Sequence, residues 1–414
     1  MPMNSGNAGM RWYHAARPSP IHGGSLLRNH DASAPRRALT GAALALAAGV
    51  ALALPATGMG GIAAVQDDVL TIAPASQIQS RIDLIKATNA KVARFDILWS
   101  FVAPTQPANP IDPADPAYDW SRIDQIMKGL KVAGVTPIVT VYSTPFWAVE
   151  GTNTPFPSAY NPNAPRATQY ADFMQALATR YNGFYPDPTA PTTLLPRLRL
   201  IEIWNEPNLK NFFRFNNASS LPKYKALIRA AYPRIKAVNG NAVVIGGVAG
   251  PRSSTGNGNV GSRTWLNSLV TKSAPKFDAY AQHIYPSVGP KSTARAANAF
   301  PSWGSLPEIY ATLDKKRKGM KLFVTEAGYT TASTNFRTVR VSPPVQNTYL
   351  KQIFTLPDVK SPRLAAVVWF NLQDNVDWPG GLLLASGAPK PAYATFQRIA
   401  VRPIPPLLRS VLKF

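Results

Sequence analysis

Leu198-Arg-Leu-Ile-Glu-Ile-Trp-Asn-Glu-Pro-Asn-Leu209 is the stretch whose reading decides the fold. Its first part, Leu198 to Trp204, is an apolar-rich run of strand length; it turns polar at Asn205-Glu206, and Pro207 then stops the strand. A run that is largely apolar on both faces suits a strand of a buried parallel sheet. Glu206 therefore stands at the tip of such a strand. The pattern recurs at Lys321-Leu-Phe-Val-Thr-Glu-Ala-Gly-Tyr329, where a short apolar strand again ends in one carboxylate, Glu326.

Working outward, strand-like and helix-like stretches alternate from Val65 onward. Strands are expected near 69–73, 91–97, 136–142, 198–204, 242–248, 278–284, 321–326 and 364–370. Helices are expected near 77–88, 120–133, 165–182, 221–238, 263–272, 305–316, 343–355 and 391–400. Pro233 should kink or split the fourth helix. Eight strands alternating with eight helices is the count of a (β/α)8 TIM barrel, and residues 64–400 are expected to form it as one domain. The rival is a doubly wound open sheet. That fold usually carries a Gly-rich phosphate turn after its first strand, and Ile72-Ala-Pro-Ala-Ser76 is not one. In a barrel the C-terminal strand ends gather the catalytic groups, which is where Glu206 and Glu326 fall.

Composition narrows the chemistry. The 414 residues contain no cysteine, so thiolate nucleophiles, disulfides and zinc–sulfur sites are excluded. Of the four histidines, His14, His22 and His30 lie in the N-terminal leader, leaving His283. No metal and no cofactor is expected. The net charge of +23 favours contact with anionic polymers or an anionic cell envelope. No compact basic block or nucleic-acid motif accompanies it, so no nucleic acid is expected as partner.

Residues 1–63 read as a basic leader followed by an export signal. Arg36-Arg37 precedes Ala38–Leu54, an almost unbroken run of Ala, Leu, Gly and Val, with small residues beyond and a cleavage point expected near Ala63 or Ala64. The protein is therefore expected to be secreted, or held by an uncleaved N-terminal anchor. Residues 401–414 form a Pro-rich, then basic-apolar tail.

The chain has five glutamates: Glu150, Glu202, Glu206, Glu308 and Glu326. Glu308 opens a helical pattern and suits a solvated first turn. Two-residue alternation puts Glu202 on the same side as Trp204 and Glu206, facing a buried cation such as Arg94. Two carboxyl groups at strand tips are the parts needed to cleave a glycosidic bond.

Trp204-Asn-Glu-Pro-Asn208 resembles the acid/base motif of glycoside hydrolase clan A, the retaining (β/α)8 glycosidases, and Trp-Asn-Glu-Pro-Asn-Leu is most similar to family 39 and cellulase-like proteins. Val324-Thr-Glu-Ala-Gly-Tyr329 resembles that clan's nucleophile segment. Arg94, the His283-Ile-Tyr285 triplet and Trp369 resemble, in order along the chain, its strand-2 Arg, strand-6 His-x-Tyr and strand-8 Trp. The resemblance covers residues 66–400. It implies Glu326 as nucleophile, Glu206 as acid/base, and Asn205, Arg94, His283, Tyr285 and Trp369 as substrate-binding groups, acting on a carbohydrate. Arg94 would keep Glu326 ionised, and that charge, with apolar surroundings, would raise the pKa of Glu206. Trp147 and Trp369 are favoured as sugar-stacking platforms; Trp204 and Trp378 fit platform or core equally well. The competing readings are a non-catalytic carbohydrate- or envelope-binding barrel and a barrel with phosphate-ester or metal-dependent chemistry. Intact Glu206 and Glu326 weigh against the first. The lack of His clusters weighs against the second.

Overall fold

The computed structural model describes residues 60–151, 160–214, 220–292, 299–335, 337–404 and 409. Eight parallel strands close into a barrel. They are β1 (Ile62–Gln66), β2 (Val92–Leu98), β3 (Thr136–Tyr142), β4 (Leu200–Ile203), β5 (Val243–Ala249), β6 (Ala279–Ile284), β7 (Lys321–Ala327) and β8 (Leu364–Trp369). β1 pairs with β8 and with β2, which completes the ring. The intervening helices are α1 (Ala75–Ala87), α2 (Ser121–Ala133), α3 (Ala167–Arg180), α4 (Ser220–Val238), α5 (Ser262–Leu269), α6 (Leu306–Asp314), α7 (Pro343–Ile353) and α8 (Pro391–Ala400). The (β/α)8 expectation holds. One short hairpin, Pro186–Asp187 with Ala190–Leu194, is inserted between α3 and β4.

Strand alternation builds two apolar layers. Ala64, Val92, Ile138, Leu200, Phe323 and Val368 form one cluster inside the barrel. Residues one step along, such as Val65, Val139, Ile201 and Val367, belong to a larger cluster with the helices. This parity decides which side chains reach the mouth of the barrel.

The first strand is a correction. It is Ile62–Gln66, and the expected strand at 69–73 is a helical turn, Asp68–Ile72. The Asp67 carboxylate accepts the Val69 amide at 3.3 Å and so caps that turn. Ile62 and Ala63 fall within the expected export segment, because small residues continue beyond its apolar run. Ala63 and Ala64 are buried in β1, so cleavage at either would sever the strand that closes the barrel. The barrel thus begins at Ile62 rather than at 64.

Pro233 does not split α4, which runs unbroken from Ser220 to Val238. Tyr224, Leu227, Ile228, Ala231 and Ile235 keep one buried face across it, and that packing outweighs the lost backbone bond. Among the described residues no helix is long and apolar enough to cross a membrane. The Ala38–Leu54 run and most of the 401–414 tail lie outside those residues.

Candidate active site

At the C-terminal mouth of the barrel is a cavity of about 480 Å³. Arg94, from the interior-facing row of β2, organises its floor. Nε donates to Glu202 at 2.8 Å, and Nη2 donates to Asn205 Oδ1 at 2.8 Å. Nη1 donates to Glu326 Oε1 at 2.7 Å and to Gln66 Oε1 at 2.5 Å. Burial alone would weaken the guanidinium charge; Glu202, Asp96 and Glu326 more than restore it, and its pKa ends well above the usual arginine value. Glu202 is fully buried on this cation and also accepts Thr140 Oγ1 at 2.5 Å. It is the structural ion-pair residue that alternation from Arg94 and Thr140 requires.

That alternation stops at Ile203. Trp204 and Glu206 have φ of 67° and 43°, in the left-handed region that side-chain-bearing residues rarely occupy. Trp204 is therefore not on the Glu202 side. It turns out into the helix layer, fully buried, with its indole N–H on the Phe212 carbonyl at 2.8 Å. The same twist swings Glu206 over the cavity. Asn208 pins the turn to the next loop, donating to the Gly250 and Val260 carbonyls at 3.1 and 3.0 Å and accepting the Gly250 amide at 2.7 Å. Gly250 has to be glycine: a Cβ there would lie 2.8 Å from Glu206 Cδ.

Three strands bring Glu206, His283 and Glu326 together. One oxygen or nitrogen from each lies within 4.8 Å of the other two. His283 Nδ1 is 2.8 Å from Glu206 Oε1 and 3.3 Å from Glu326 Oε2. Tyr285 donates its hydroxyl to Glu326 Oε2 at 2.8 Å. Burial raises the Glu206 pKa to about 7, with Arg94 opposing. Of the two expected causes, apolar surroundings and the Glu326 charge, burial is the one that raises it. Burial also raises Glu326 above the usual carboxylate value, with His283 and Arg94 opposing and Glu206 and Asp96 adding to it. Glu326 accepts hydrogen bonds from Arg94 and Tyr285, one on each oxygen. Burial lowers His283 to about 4, so it is neutral and acts as a hydrogen-bonding support. The Tyr285 phenol is pushed well up by burial and by Glu326, and stays a donor.

The proposed platforms need correction. Trp369 sits one step out of register with the interior row of β8. It is 1% exposed, faces the helix layer and donates to the Gly380 carbonyl at 3.0 Å. Phe370, the next residue, lines the cavity instead. Trp147 packs edge-on against Trp99 with ring centroids 5.4 Å apart and donates to the Ala103 carbonyl at 2.9 Å, away from the cavity lining. Trp378 does line the cavity, in edge contact with Tyr285 at 4.6 Å.

Sequence reasoning missed Asp68 and Asp96. Both line the cavity, and burial raises both, Asp68 well above the usual carboxylate range. Tyr142 donates to Asp96 Oδ2 at 3.1 Å. The signal was present: Asp96 lies two residues beyond Arg94 and Asp68 two beyond Gln66, each on the interior parity. Glu150 and Glu308 lie elsewhere, paired with Lys223 and Arg263.

The cellulase (glycosyl hydrolase family 5) model matches residues 62–371. The chain belongs to this family of clan A glycoside hydrolases. A β-xylosidase of Caldicellulosiruptor saccharolyticus is 24% identical over 298 residues, 68% of this chain and 56% of that protein. The chain thus spans little more than half the length of that relative. Among solved structures, a family 39 glycoside hydrolase of Bacteroides cellulosilyticus WH2 aligns with TM-score 0.56 and 19% identity, covering 83% of this chain and 64% of that one. A family 39 β-xylosidase of Caulobacter crescentus gives 0.56 and 18%, covering 82% and 71%. A GH5-4 broad-specificity endoglucanase of Clostridium acetobutylicum gives 0.53 and 15%, covering 84% and 97%. At these identities the structural likenesses show the shared fold. The resemblance to clan A read from the motifs agrees with the family match.

Proposed function

We propose that the protein is a retaining glycoside hydrolase that cleaves an O-glycosidic bond in two displacement steps. The observation that carries this is the approach of the Glu206 and Glu326 carboxyl oxygens to within 4.8 Å. Retaining enzymes hold their carboxyl groups about 5–5.5 Å apart, whereas inverting ones leave about 6.5–9.5 Å for a water.

In the first step a Glu326 oxygen attacks the anomeric carbon. The bond to the leaving oxygen breaks, and that oxygen takes the Glu206 proton. Arg94 and Tyr285 hold Glu326 in line for attack by fixing one oxygen each. Arg94 also fixes the Asn205 carbonyl, leaving the amide NH2 as the donor for a sugar hydroxyl. In the second step Glu206, now a carboxylate, takes a proton from water. The hydroxide attacks the glycosyl ester, and Glu326 leaves as a carboxylate. Two inversions at one carbon return the starting configuration.

The site of action is proposed to be outside the cytoplasm. The support is the basic, apolar, small-residue order of residues 36–58; with β1 starting at Ile62, any cleavage falls before it. The N-terminus of secreted material, read by mass spectrometry, checks this.

The function is tested by incubating the full chain with aryl glycosides and cell-wall polysaccharides beside Glu326→Gln. Sugar release by the wild type and none by the variant is expected. Equal release by both would remove Glu326 from the mechanism. Polymer binding without turnover by either would turn the reading to a binding protein.

A further inference from the structure

The cavity has two unlike walls. On the β1–β2 side stand Asp68 and Asp96, with Asp377 in the loop after β8; on the side formed by the loops after β4, β5 and β7 stand Lys210, Arg252 and Arg337. Deep cations elsewhere in the chain are each held by a carboxylate: Arg81 by Asp67, Arg94 by Glu202 and Glu326, Arg180 by Asp124, and Lys390 by Asp374. The three cavity cations are shallower, Arg252 and Arg337 half-buried and Lys210 exposed. Among the described residues none lies within ion-pair distance of an acid. Arg252 spends only Nε, on the Ser254 carbonyl at 3.0 Å. Arg337 donates to the Tyr285 and Pro286 carbonyls at 3.2 and 2.8 Å, lies over the Trp378 ring, and keeps a buried Nε with no partner. Lys210 is exposed at the rim.

A guanidinium set into a cavity without a counter-charge favours an anion from outside. The positions say which part of the substrate carries it. Glu206 delivers its proton to the leaving oxygen. Lys210 lies four residues beyond Glu206, and Arg252 follows Gly250, which packs on the Glu206 carboxyl. Lys210 and Arg252 therefore flank the leaving group, while Arg337 stands on the Tyr285 side. The retained sugar lies toward the carboxyl groups of Asp68 and Asp96, a wall that offers an anionic substituent no free cation.

Resting on the proposed glycosidase reading, we propose that the substrate is an anionic glycan whose carboxylate or sulfate groups, carried on the leaving-group side, are received by Lys210 and Arg252. The overall charge of +23 acts in the same direction, concentrating such a polymer at the surface.

The test uses the full chain on matched pairs: a glucuronic-acid-bearing xylan and its carboxyl-reduced form, and a sulfated galactan and its desulfated form. The charged member of one pair is expected to show kcat/KM at least about tenfold higher. Which pair responds distinguishes uronate from sulfate. The Lys210→Gln/Arg252→Gln double variant should narrow that ratio several-fold, Arg252→Lys should restore part of it, and raising NaCl from about 50 to 500 mM should narrow it too. Charged and neutral members cleaved alike, or a ratio that survives in the double variant, would overturn the proposal. Failure of the glycosidase reading looks different: no glycan or aryl glycoside is cleaved at all. Affinity electrophoresis of Glu326→Gln in gels of each polymer then decides. Retardation by the charged member, relieved when Lys210→Gln and Arg252→Gln are added to Glu326→Gln, supports the anion site, and equal mobility in both gels overturns it.

Discussion

Two groups of aromatic rings flank the barrel mouth, and they do different work. Behind β2 to β4, Trp99, Trp120, Tyr170, Phe173 and Trp204 stack and tilt against one another at centroid distances of 5.4–5.8 Å, each at most 4% exposed. Beyond β6 and β8, Tyr285, Phe370 and Trp378 meet at 4.6–6.3 Å and line the cavity. In sequence it is Trp204, of the first set, that stands next but one to Glu206. Only the second can present a ring to a sugar. Proximity in sequence to a catalytic residue thus says little about an aromatic; its parity on the strand, and whether the backbone keeps that parity, says more.

Substitutions separate the two sets and the carboxyl groups between them. Glu326→Gln should have the largest effect, lowering kcat on the order of 10⁴-fold or more by removing the proposed nucleophile, with the fold intact by circular dichroism. Glu206→Gln should lower kcat/KM about 10²–10⁴-fold on glycosides with a poor leaving group, and far less on an activated aryl glycoside. Its pH profile is as telling. With Glu206 at about 7, wild-type kcat/KM should fall about tenfold per pH unit above that value, and Glu206→Gln should lose this alkaline limb. The sign for stability runs the same way. A folded-state pKa above the unfolded one favours the folded state at low pH. Wild type should therefore lose stability relative to Glu206→Gln as the pH rises from about 4.5 through 7.

In the sealed aromatic set, Trp204→Ala should cost about 3–5 kcal/mol and lower Tm by roughly 4–7 °C. On the open side Trp378→Ala should leave Tm within about 2 °C and raise KM about tenfold. A Tm loss for Trp378→Ala as large as that for Trp204→Ala would erase the distinction between the two sets.

The barrel was legible because seven of its strands are bounded apolar runs. β1 was not, because Ile62-Ala-Ala-Val65 merges with the apolar residues ahead of it, and Val69-Leu70-Thr71-Ile72 has strand composition but is turned into a helix by the Asp67 cap. Within the site, Glu206, Glu326, Arg94, Asn205, His283 and Tyr285 come together in one bonded cluster. They were readable because each sits at or near a strand tip beside a motif. Trp369 and Phe370 were confused by a single residue of alternation, and Trp204 by a positive φ that no composition announces. Asp68 and Asp96 carry no motif. They are visible only once the interior parity of β1 and β2 is fixed by Gln66 and Arg94.

The separation of Glu206 and Glu326 is the centre of the account, and the stereochemistry of the first product tests it most directly. Proton NMR of a reaction run in D2O, recorded before mutarotation, should show the newly formed sugar with the same anomeric configuration as the substrate. An inverted first product would mean that water, and not Glu326, attacks the anomeric carbon.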